Sequence, residues 1–401
     1  MPSGNDIPPE ALVGIRRSKR VKSTTENEPT LQPQRSRRGR WILIGVIAVV
    51  VILVVTGALT NWFGLGNSPI QLNGAGSSFA FPLMSAWSTQ YNALTGVQIN
   101  YQATGSGAGI NAVVAKNLDF GGTDAPLNTT QHTQNPTLLT IPESLGAVTV
   151  AYNLPGLPAH INLTGLIVAN IYLGVTTKWD DANITAINPG VTFPSTSIFV
   201  QYRSDSSGTT FVFTDYLSKA SVQFAAQVGK GKLVAWPVGS GAPQNQGVSN
   251  AVKGQAGAIG YVELAYVVQN SMSYAKIKNA AGSYILPDLN STAAAAASSA
   301  GSLPAGNGDW SQVSITNATG SSSYPVATFT YLLVYQELNI YPSGMTEVKA
   351  KALVDFLRWA VGNVAQTAAA SLTYASLPAS VVTLDVTTIR TITFNGVALL
   401  P

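Results

Sequence analysis

The sequence predicts an α/β protein with a mostly parallel β-sheet and a single N-terminal transmembrane helix. Short apolar runs alternate with helical patterns from about residue 70 to residue 361, and this β-α-β-α order is typical of a parallel sheet flanked by helices. Residues 41–63 contain no charged side chain, as expected of a segment that crosses a membrane. The chain of 401 residues is also long enough for two large lobes, each with its own core.

The composition excludes several classes of protein. Charged residues make up 10% of the chain, against about 25% in typical soluble domains, which argues against a disordered polyelectrolyte and a long charged coiled coil. The chain has no cysteine, and this excludes a disulfide framework, a thiolate metal site and a cysteine nucleophile. Its two histidines, His132 and His160, argue against a zinc site and a Ser-His-Asp triad. We therefore expect no metal and no other cofactor.

Residues 1–40 form a basic head: they contain nine Lys or Arg and four Asp or Glu, while the rest of the chain contains 13 and 14. The head is too poor in apolar residues to form a core, so it is predicted to be disordered. Its basic clusters could bind acidic lipid or nucleic acid, but a flank that stops translocation is the favoured interpretation. Because the remainder is almost neutral, it is not expected to bind nucleic acid.

Residues 41–63 are predicted to anchor the chain in the membrane. A helix of this length, at about 1.5 Å per residue, can cross a hydrocarbon core of about 30 Å. Trp41 and Trp62 stand at its two ends, where aromatic rings favour the membrane interface. The arginines precede it, so residues 1–40 are expected in the cytoplasm and residues 64–401 outside, with 64–69 as a linker. The alternative is a cleaved signal peptide, but the run is long for one and no clear cleavage site follows.

The external part is predicted to consist of alternating strands and helices. Its strands are expected at 97–103, 118–123, 146–153, 197–203, 256–262 and 326–336. Its helices are expected at 108–117, 209–220, 291–300 and 345–361. The Ala-rich stretch 291–300 could instead be a linker, but Ala favours a helix and Asp288 or Ser291 can cap it. The last helix is predicted to bury one face, made of Val348, Ala352, Phe356 and Trp359.

Three loops share one chemistry. In each, a strand gives way to Gly and Ser or Thr residues and a helix follows at once: GAGSSF (74–79), TGSGAG (104–109) and RSDSSGT (203–209). A helix N-terminus has unpaired N–H groups and about half a positive charge, so a small oxyanion is the ligand that it favours. Ser, Thr and Gly before a helix are also ordinary capping residues, and only the threefold repetition favours binding.

These loops are better suited to binding an anion than to transforming it. They lack the G-x-x-x-x-G-K-[ST] pattern of nucleotide P-loops and the G-x-S-x-G of a nucleophile elbow. No histidine is near their serines to act as a base. Arg203 can bind an anion through two hydrogen bonds. Asp205 either restrains that guanidinium or caps the helix that follows it.

Asp124 follows the segment DFGGT at 119–123. Its carboxylate could distinguish ligands that carry a proton from ligands that do not. An ionised carboxylate can only accept hydrogen bonds. It would repel a fully ionised anion such as sulfate and accept the proton of a phosphate that carries one, and so select phosphate over sulfate. The alternative, that Asp124 caps the turn before Pro126, is equally supported by the local sequence.

At these residues the chain resembles the PstS family, the phosphate-binding proteins of phosphate-specific ABC transporters. The resemblance covers most of residues 70–385 and is carried by GAGSSFAFPL, NYQATGSGAGINAVVA, DFGGTDAPL, IYLGVTTKWDDANITAINPG, RSDSSGTTFVFTDYL, GAIGYVELAY and YASLP. It implies a two-lobed periplasmic-binding-protein fold of type II, with phosphate held between the lobes. One lobe would comprise 70–150 and 327–401, and the other 151–326.

The resemblance also implies the residues of the site. Contacts to phosphate are expected from Ser78, Phe79, Ser106, Asp124, Arg203, Ser207, Gly208 and Thr209. Ser78 stands where the family usually has Thr, and it keeps the hydroxyl. Ser206 stands where the family usually has Gly, which bears on the local turn rather than on the chemistry. The predicted anchor departs from a freely diffusing periplasmic receptor and suggests a cell without an outer membrane.

The sequence thus predicts a monomeric, membrane-anchored extracellular receptor that captures inorganic phosphate and delivers it to an ABC transporter permease, without catalysis. One alternative is a receptor for sulfate, molybdate or tungstate, against which Asp124 argues. Another is a cell-surface phosphohydrolase with Ser78 or Ser207 as nucleophile. A third is a sensor or adhesion module with a vestigial cleft, which would bind no oxyanion.

Overall fold

The computed structural model describes residues 69–297, 301–342 and 344–400. The predicted basic head, the predicted anchor at 41–63 and nearly all of the predicted linker lie outside these ranges. Among the described residues, no helix combines the length and the apolar character needed to cross a bilayer.

One large sheet, with two small sheets beside it, organises the described part of the chain. The strands are β1 (Gln71–Gly76), β2 (Gln98–Ala103), β3 (Phe120–Thr123), β4 (Leu138–Tyr152), β5 (Asn162–Leu163), β6 (Phe199–Arg203), β7 (Ser240–Ala242), β8 (Ala258–Glu263), β9 (Ser273–Tyr274), β10 (Lys276–Lys278), β11 (Tyr284–Ile285), β12 (Ala327–Tyr335), β13 (Thr393–Phe394) and β14 (Val397–Ala398). The large sheet has the order β2-β1-β3-β12-β4-β8-β6-β7, and β9 pairs with β4. The small sheets are β11-β10-β5 and β13-β14.

The long strand β4 joins the two halves of the large sheet. We call β2, β1, β3 and β12 the first half, and β8, β6 and β7 the second half. The N-terminal part of β4 pairs with β12, beginning at Leu138 opposite Tyr335, and its C-terminal part pairs with β8, beginning at Val148 opposite Glu263. The predicted strand at 146–153 covers only the second part, because Pro142 argues against a central strand in the sequence.

A β-bulge interrupts β4 opposite Thr330. Ser144 pairs with Thr330 and Pro142 pairs with Tyr331, so Glu143 between them has no partner across the ladder. A bulge bends the strand and changes the direction of a side chain. The bulge occurs next to a proline, which lacks the N–H that a regular ladder needs.

The large sheet is mixed rather than mostly parallel. As predicted, β1 is parallel to β2 and β3, and β6 is parallel to β8 and β7. By contrast, β12 is antiparallel to β3 and β4, and β4 is antiparallel to β8. The apolar run of a buried strand reads the same in either direction, so the sequence could not set the direction of β4 and β12.

The helices follow the strands in the predicted alternation. They are α1 (Phe81–Thr95), α2 (Ser106–Val114), α3 (Thr129–Gln134), α4 (Gly165–Tyr172), α5 (Ala182–Ala186), α6 (Gly208–Ala220), α7 (Val222–Gln227), α8 (Gln244–Gly254), α9 (Leu264–Gln269), α10 (Leu289–Ala297), α11 (Glu347–Ala360), α12 (Asn363–Ser371) and α13 (Ala379–Arg390). Helices α2 and α10 each begin two residues before their predicted starts at 108 and 291. The helix interpretation of the Ala-rich stretch is confirmed, with Asp288 Oδ1 accepting from Ser291 N at 2.7 Å.

The predicted apolar face of α11 is only partly buried. Ala352 and Phe356 are buried, Trp359 is half-buried, and Val348 in the first turn is 66% exposed. The Phe356 ring contacts Tyr91 of α1, with the ring centres 5.3 Å apart. The prediction for Val348 was wrong because a periodic pattern gives the face of a helix but not where along its length the packing begins.

Each half of the large sheet packs against its own aromatic cluster. On the first half, Trp87 of α1 lies edge-on to Trp359 of α11 at 5.9 Å. On the second half, Tyr172 of α4 and Phe213 of α6 lie 5.0 Å apart, and Phe213 stacks on Tyr261 of β8 at 4.4 Å. Burial of such large rings supplies much of the stability of a core. An aromatic cluster therefore packs on each half of the sheet, and β4 joins these halves.

Candidate functional site

The three loops that the sequence singled out meet beyond the carboxyl ends of β1, β2 and β6. Gly105 N donates to Gly76 O over 2.8 Å and joins the second loop to the first. Gly107 N donates to Ser206 O over 2.9 Å and joins the second loop to the third. The first two loops come from the first half of the sheet and the third comes from the second half. The carboxyl ends of strands are where open α/β proteins commonly bind ligands.

Asp124, directly after β3, lies in the middle of these loops and is 1% exposed. Its Oδ1 accepts hydrogen bonds from the Ser77 hydroxyl and from Thr330 Oγ1, the latter at 3.1 Å. Its Oδ2 lies 3.4 Å from Ser106 Oγ. The carboxylate is therefore surrounded by hydroxyl donors from three separate segments of the chain.

The turn after Asp124 is capped by another residue. Thr123 Oγ1 accepts from Ala125 N at 3.1 Å, so the capping role that the local sequence allowed for Asp124 belongs to its neighbour. Burial raises the pKa of Asp124 to about 6, although hydrogen bonds from Ser77 and Thr330 and the charge of Arg203 act in the opposite direction. Its carboxyl is accordingly ionised near neutral pH and gains a proton below about pH 6.

Arg203 ends β6 and is 2% exposed. Its Nε and Nη2 donate to the two carboxylate oxygens of Asp205 at 2.7 and 2.5 Å, and its Nη1 donates to Thr209 Oγ1 at 3.2 Å. Burial alone would raise the pKa of Asp205, but the hydrogen bonds and charge of Arg203 hold it below its usual range. Of the two roles considered for Asp205, the structure supports restraint of the Arg203 guanidinium, because a two-point contact fixes the plane of that group.

The N-terminus of α6 approaches Asp124 very closely. Ser207 caps the helix, because its Oγ accepts from Thr210 N at 3.1 Å. A Cβ placed on Gly208 would lie 2.5 Å from Asp124 Oδ2 and 2.6 Å from Ser106 Oγ, so only glycine allows this approach. Ser206 does not have a positive φ, so its backbone conformation does not demand a glycine.

Ser78 and Phe79, in the first loop, are fully enclosed. Ser78 Oγ accepts from both the backbone N and the side-chain Nδ2 of Asn245, each at 3.1 Å. Phe79 is 0% exposed, its carbonyl accepts from Tyr374 Oη at 2.6 Å, and its ring lies edge-on to that tyrosine. The structure therefore brings all eight predicted site residues into one buried region, linked by the contacts given above.

Sequence reasoning missed Asn245, which lies in the first turn of α8, a fourth helix at the site. Its Nδ2 bridges Ser78 Oγ and Thr209 Oγ1 at 3.1 Å each, and its Oδ1 accepts from Glu263 N at 3.0 Å. The preceding residue, Gln244, donates from its backbone to Asp205 Oδ1 at 2.9 Å. The one available signal was a proline before the helix, in GAPQNQG, and that signal carries no chemistry of its own.

Two hydroxyl donors to Asp124 were also missed. Ser77 lies beside the predicted Ser78, but in the structure it is Ser77 that faces Asp124 and Ser78 that faces Asn245. Thr330 lies inside the apolar strand β12, where the sequence does not show which face a hydroxyl takes. Within the described ranges, no three His, Cys, Asp or Glu side chains are grouped in a way that could hold a metal ion.

The chemistry available here is that of holding an anion. Arg203, the N-terminus of α6 and several hydroxyls surround one carboxylate. Among the described residues, the hydroxyl of Ser78 is bonded to N–H groups of Asn245 and that of Ser207 to the N–H group of Thr210. None of these partners is a base that could take the proton of a serine nucleophile. These contacts do not describe an activated serine.

Comparison with known proteins identifies relatives over most of the chain. Residues 64–364 match a family model described as the PBP superfamily domain. The phosphate-binding protein PstS of Xylella fastidiosa (strain 9a5c) is 42% identical over 319 residues, which cover 78% of this chain and 83% of that protein. The PstS protein of Methanocaldococcus jannaschii is 31% identical over 357 residues, which cover 82% of this chain and 90% of that protein.

Solved structures share the fold. A phosphate-binding protein from Stenotrophomonas maltophilia has a TM-score of 0.60 at 19% identity, covering 82% of this chain and 96% of its own. A human phosphate-binding apolipoprotein has a TM-score of 0.61 at 17% identity, covering 78% of this chain and 92% of its own. At such identities the similarity is one of fold: the described chain has the α/β fold of type II periplasmic binding proteins.

Proposed function

Because the chain belongs to the PstS family of phosphate-binding proteins, we propose that it is a receptor that binds inorganic phosphate and delivers it to the permease of an ABC transporter. As a member of this family it is a binding protein and not an enzyme. One observation carries the proposal most directly. A buried carboxylate, Asp124, lies against the N-terminus of α6 in a region that also holds the buried guanidinium of Arg203.

The positive groups would attract the anion and the hydroxyls would orient it. Arg203 and the N-terminus of α6 supply charge and N–H donors. The donors proposed for phosphate are Ser78, Phe79, Ser106, Arg203, Ser207, Gly208 and Thr209, with the hydroxyls acting through their side chains and Phe79 and Gly208 through their backbone N–H groups. Ser207 can accept from Thr210 N and still donate its own hydrogen, since a hydroxyl does both.

Asp124 would give the site its selectivity. When it is ionised it can only accept, so it favours a ligand that carries a hydrogen. Phosphate carries one near neutral pH and sulfate does not. A sulfate oxygen facing Asp124 would leave two buried acceptors opposed, which costs about 1–3 kcal/mol or more for charged groups. The same argument separates phosphate from molybdate and tungstate.

We assign one lobe to residues 70–150 and 327–401 and the other to 151–326. The aromatic clusters on the two halves of the sheet support this division, because Trp87 and Trp359 fall in the first lobe and Tyr172 and Phe213 in the second. Predicted site residues come from both sides, so separation of the lobes would admit phosphate and closure would enclose it. We propose that the receptor works as a monomer, with its partner the permease.

The anchor is proposed from the sequence alone. Residues 41–63 would cross the membrane once, with 1–40 in the cytoplasm and 64–401 outside. A tether of this kind would keep the receptor at the surface of a cell that has no outer membrane, close to the permease that it serves.

Calorimetric titration of the full chain in detergent micelles, with phosphate and with sulfate, tests the function. We expect phosphate to bind and sulfate to bind far more weakly. Arg203→Ala should abolish measurable binding, while Arg358→Ala, which changes an exposed arginine of α11, should leave it unchanged. Equal affinity for both anions would favour the general oxyanion receptor, and no binding of either would favour the sensor or adhesion alternative. Hydrolysis of a chromogenic phosphate ester that disappears in Ser207→Ala would support the phosphohydrolase.

A further inference from the structure

A second buried carboxyl group, that of Glu143, lies behind Asp124. Glu143 is 0% exposed and sits in the bulge of β4, where it has no partner across the ladder. The bulge directs its side chain toward Thr330 of β12. None of the roles proposed above uses this group, and a buried carboxyl needs a reason because its burial is costly.

The hydroxyl of Thr330 lies between the two carboxyl groups. Thr330 Oγ1 is 3.1 Å from Asp124 Oδ1 and 3.1 Å from Glu143 Oε1. A threonine hydroxyl has one hydrogen and can donate it to only one of them. If both carboxyl groups were ionised, one would face the hydroxyl oxygen with no hydrogen between them. Two hydrogen bonds exist here only if one of the carboxyl groups carries a proton.

The surroundings show which carboxyl group holds the proton. Asp124 accepts from Ser77 and Thr330, lies near Ser106, and is stabilised by the charge of Arg203. Glu143 has Thr330 on one oxygen, and its other oxygen, Oε2, is buried with no hydrogen-bond partner among the described residues. An ionised Glu143 would be a buried charge with a single donor, which is far less favourable than an ionised Asp124.

We propose that Glu143 is a positioning residue for phosphate selection: as a neutral acid it donates to Thr330, so that Thr330 donates to Asp124 and keeps it ionised as the acceptor that faces the ligand. This inference rests on the proposed function. It concerns a residue that would not touch phosphate and acts through one hydroxyl. Burial raises the pKa of Glu143 to about 8, and the negative charge of Asp124 acts in the same direction, in agreement with this arrangement.

Other titratable groups lie near the pair. Burial raises the pKa of Glu263, and it likewise raises the pKa values of Tyr101, Tyr266, Tyr331 and Tyr374. Arg203 remains positive. Burial raises the pKa of Glu143 to about 8, so this carboxyl group titrates between about pH 7 and pH 9. Its ionisation would take the Thr330 hydrogen bond away from Asp124 and place a second negative charge behind it.

Glu143→Gln tests the proposal, because the amide keeps a permanent donor and cannot ionise. Phosphate affinity of the full chain is measured by calorimetry for wild type and variant from pH 6 to pH 9.5. The ratio of the two affinities cancels the ionisation of phosphate itself. We expect a ratio near one up to about pH 7, and wild-type binding about tenfold weaker than that of the variant one pH unit above the Glu143 pKa. Glu347→Gln, on the surface of α11, is the control and should follow wild type.

Two variants of Thr330 test the hydroxyl group rather than the acid. Thr330→Val should weaken phosphate binding at neutral pH, since Asp124 loses a donor, and Thr330→Ser should restore it. This pair decides the matter if Glu143→Gln does not fold. Phosphate binding by Thr330→Val equal to that of wild type would overturn the proposal, as would a ratio for Glu143→Gln that stays flat to pH 9.5.

Thermal unfolding of the protein without phosphate separates this inference from the proposed function. A carboxyl group whose pKa is raised by folding stabilises the protein at low pH and loses that contribution as pH rises through about 8. The melting temperature of wild type should therefore fall relative to that of Glu143→Gln between pH 6 and pH 9. If wild type binds no phosphate at pH 7, the proposed function fails, whereas equal melting profiles show that Glu143 is not the neutral partner.

Discussion

Gly208 lies so close to Asp124 that a Cβ added to the glycine would sit 2.5 Å from the Oδ2 atom of the aspartate. The N-terminus of α6 and the carboxylate at the end of β3 come from opposite halves of the sheet. Their contact therefore depends on the tertiary fold. It places the positive end of a helix against the Asp124 carboxylate, the group proposed to select phosphate.

Gly208→Ala should weaken phosphate binding. The added methyl group has to displace Asp124 or the N-terminus of α6, and overpacking of this kind costs about 1–3 kcal/mol. If the whole cost falls on binding, affinity drops by roughly five- to 150-fold. Calorimetry measures the loss. Gly254→Ala is the matched control, because a Cβ there meets no atom within 4 Å, and its affinity should equal that of wild type.

Asp124→Asn should remove the preference for phosphate over sulfate. The amide keeps an oxygen that can accept from Ser77 and Thr330, and it turns the ligand-facing atom from an acceptor into a donor. We expect phosphate affinity to fall and sulfate affinity to rise, which can be measured by titrating each anion into the same preparation. Asp355→Asn, at a surface ion pair with Lys351, serves as the control. If the variant kept the wild-type preference for phosphate over sulfate, Asp124 would not be the group that recognises the proton of phosphate.

Sulfate binding by wild type should strengthen as the pH falls through about 6. Asp124 gains a proton there, and a protonated carboxyl group can donate to a sulfate oxygen, while sulfate itself keeps its charge. Between pH 7 and pH 5 the protonated fraction of a group with this pKa rises roughly tenfold, and sulfate affinity should rise with it. A carboxyl group of ordinary pKa, about 3.9, would place the change near pH 4, and Asp124→Asn should show no change at either pH.

Asn245→Ala should lower both stability and affinity. The substitution removes the side-chain contacts of Asn245 to Ser78 Oγ and Thr209 Oγ1, although each of these atoms keeps another donor. It also leaves the buried backbone N of Glu263 without the acceptor that Asn245 provides. An unsatisfied buried polar group costs about 1–3 kcal/mol, so the free energy of unfolding in urea should fall by about that amount. Asn250→Ala, at an exposed position of the same helix, should stay within about 0.5 kcal/mol of wild type. An unchanged unfolding midpoint for Asn245→Ala would contradict the bridging role.

The three loops predicted from local chemistry lie together in the structure. Glycine- and serine-containing loops before helices follow from capping and helix-dipole rules, which operate within a few residues. They therefore led to the loops that contain Ser106, Ser207 and Gly208, whereas the resemblance implied that these residues contact phosphate. Asn245 and Thr330 could not be found in this way, because their roles depend on residues far away in the chain: Ser78 lies 167 positions from Asn245, and Asp124 lies 206 positions from Thr330.

The sequence by itself determined the alternation of strands and helices, the three loops with their donors and the uncharged stretch at 41–63. Each of these depends on side-chain periodicity or on neighbouring residues. Only the tertiary structure decided the antiparallel course of β4 and β12, the bulge at Glu143 and the raised pKa of Asp124. Strand direction, register and desolvation depend on which distant segments pack together. Neither an apolar run nor a single acidic residue shows, in the sequence alone, which segments will pack against it.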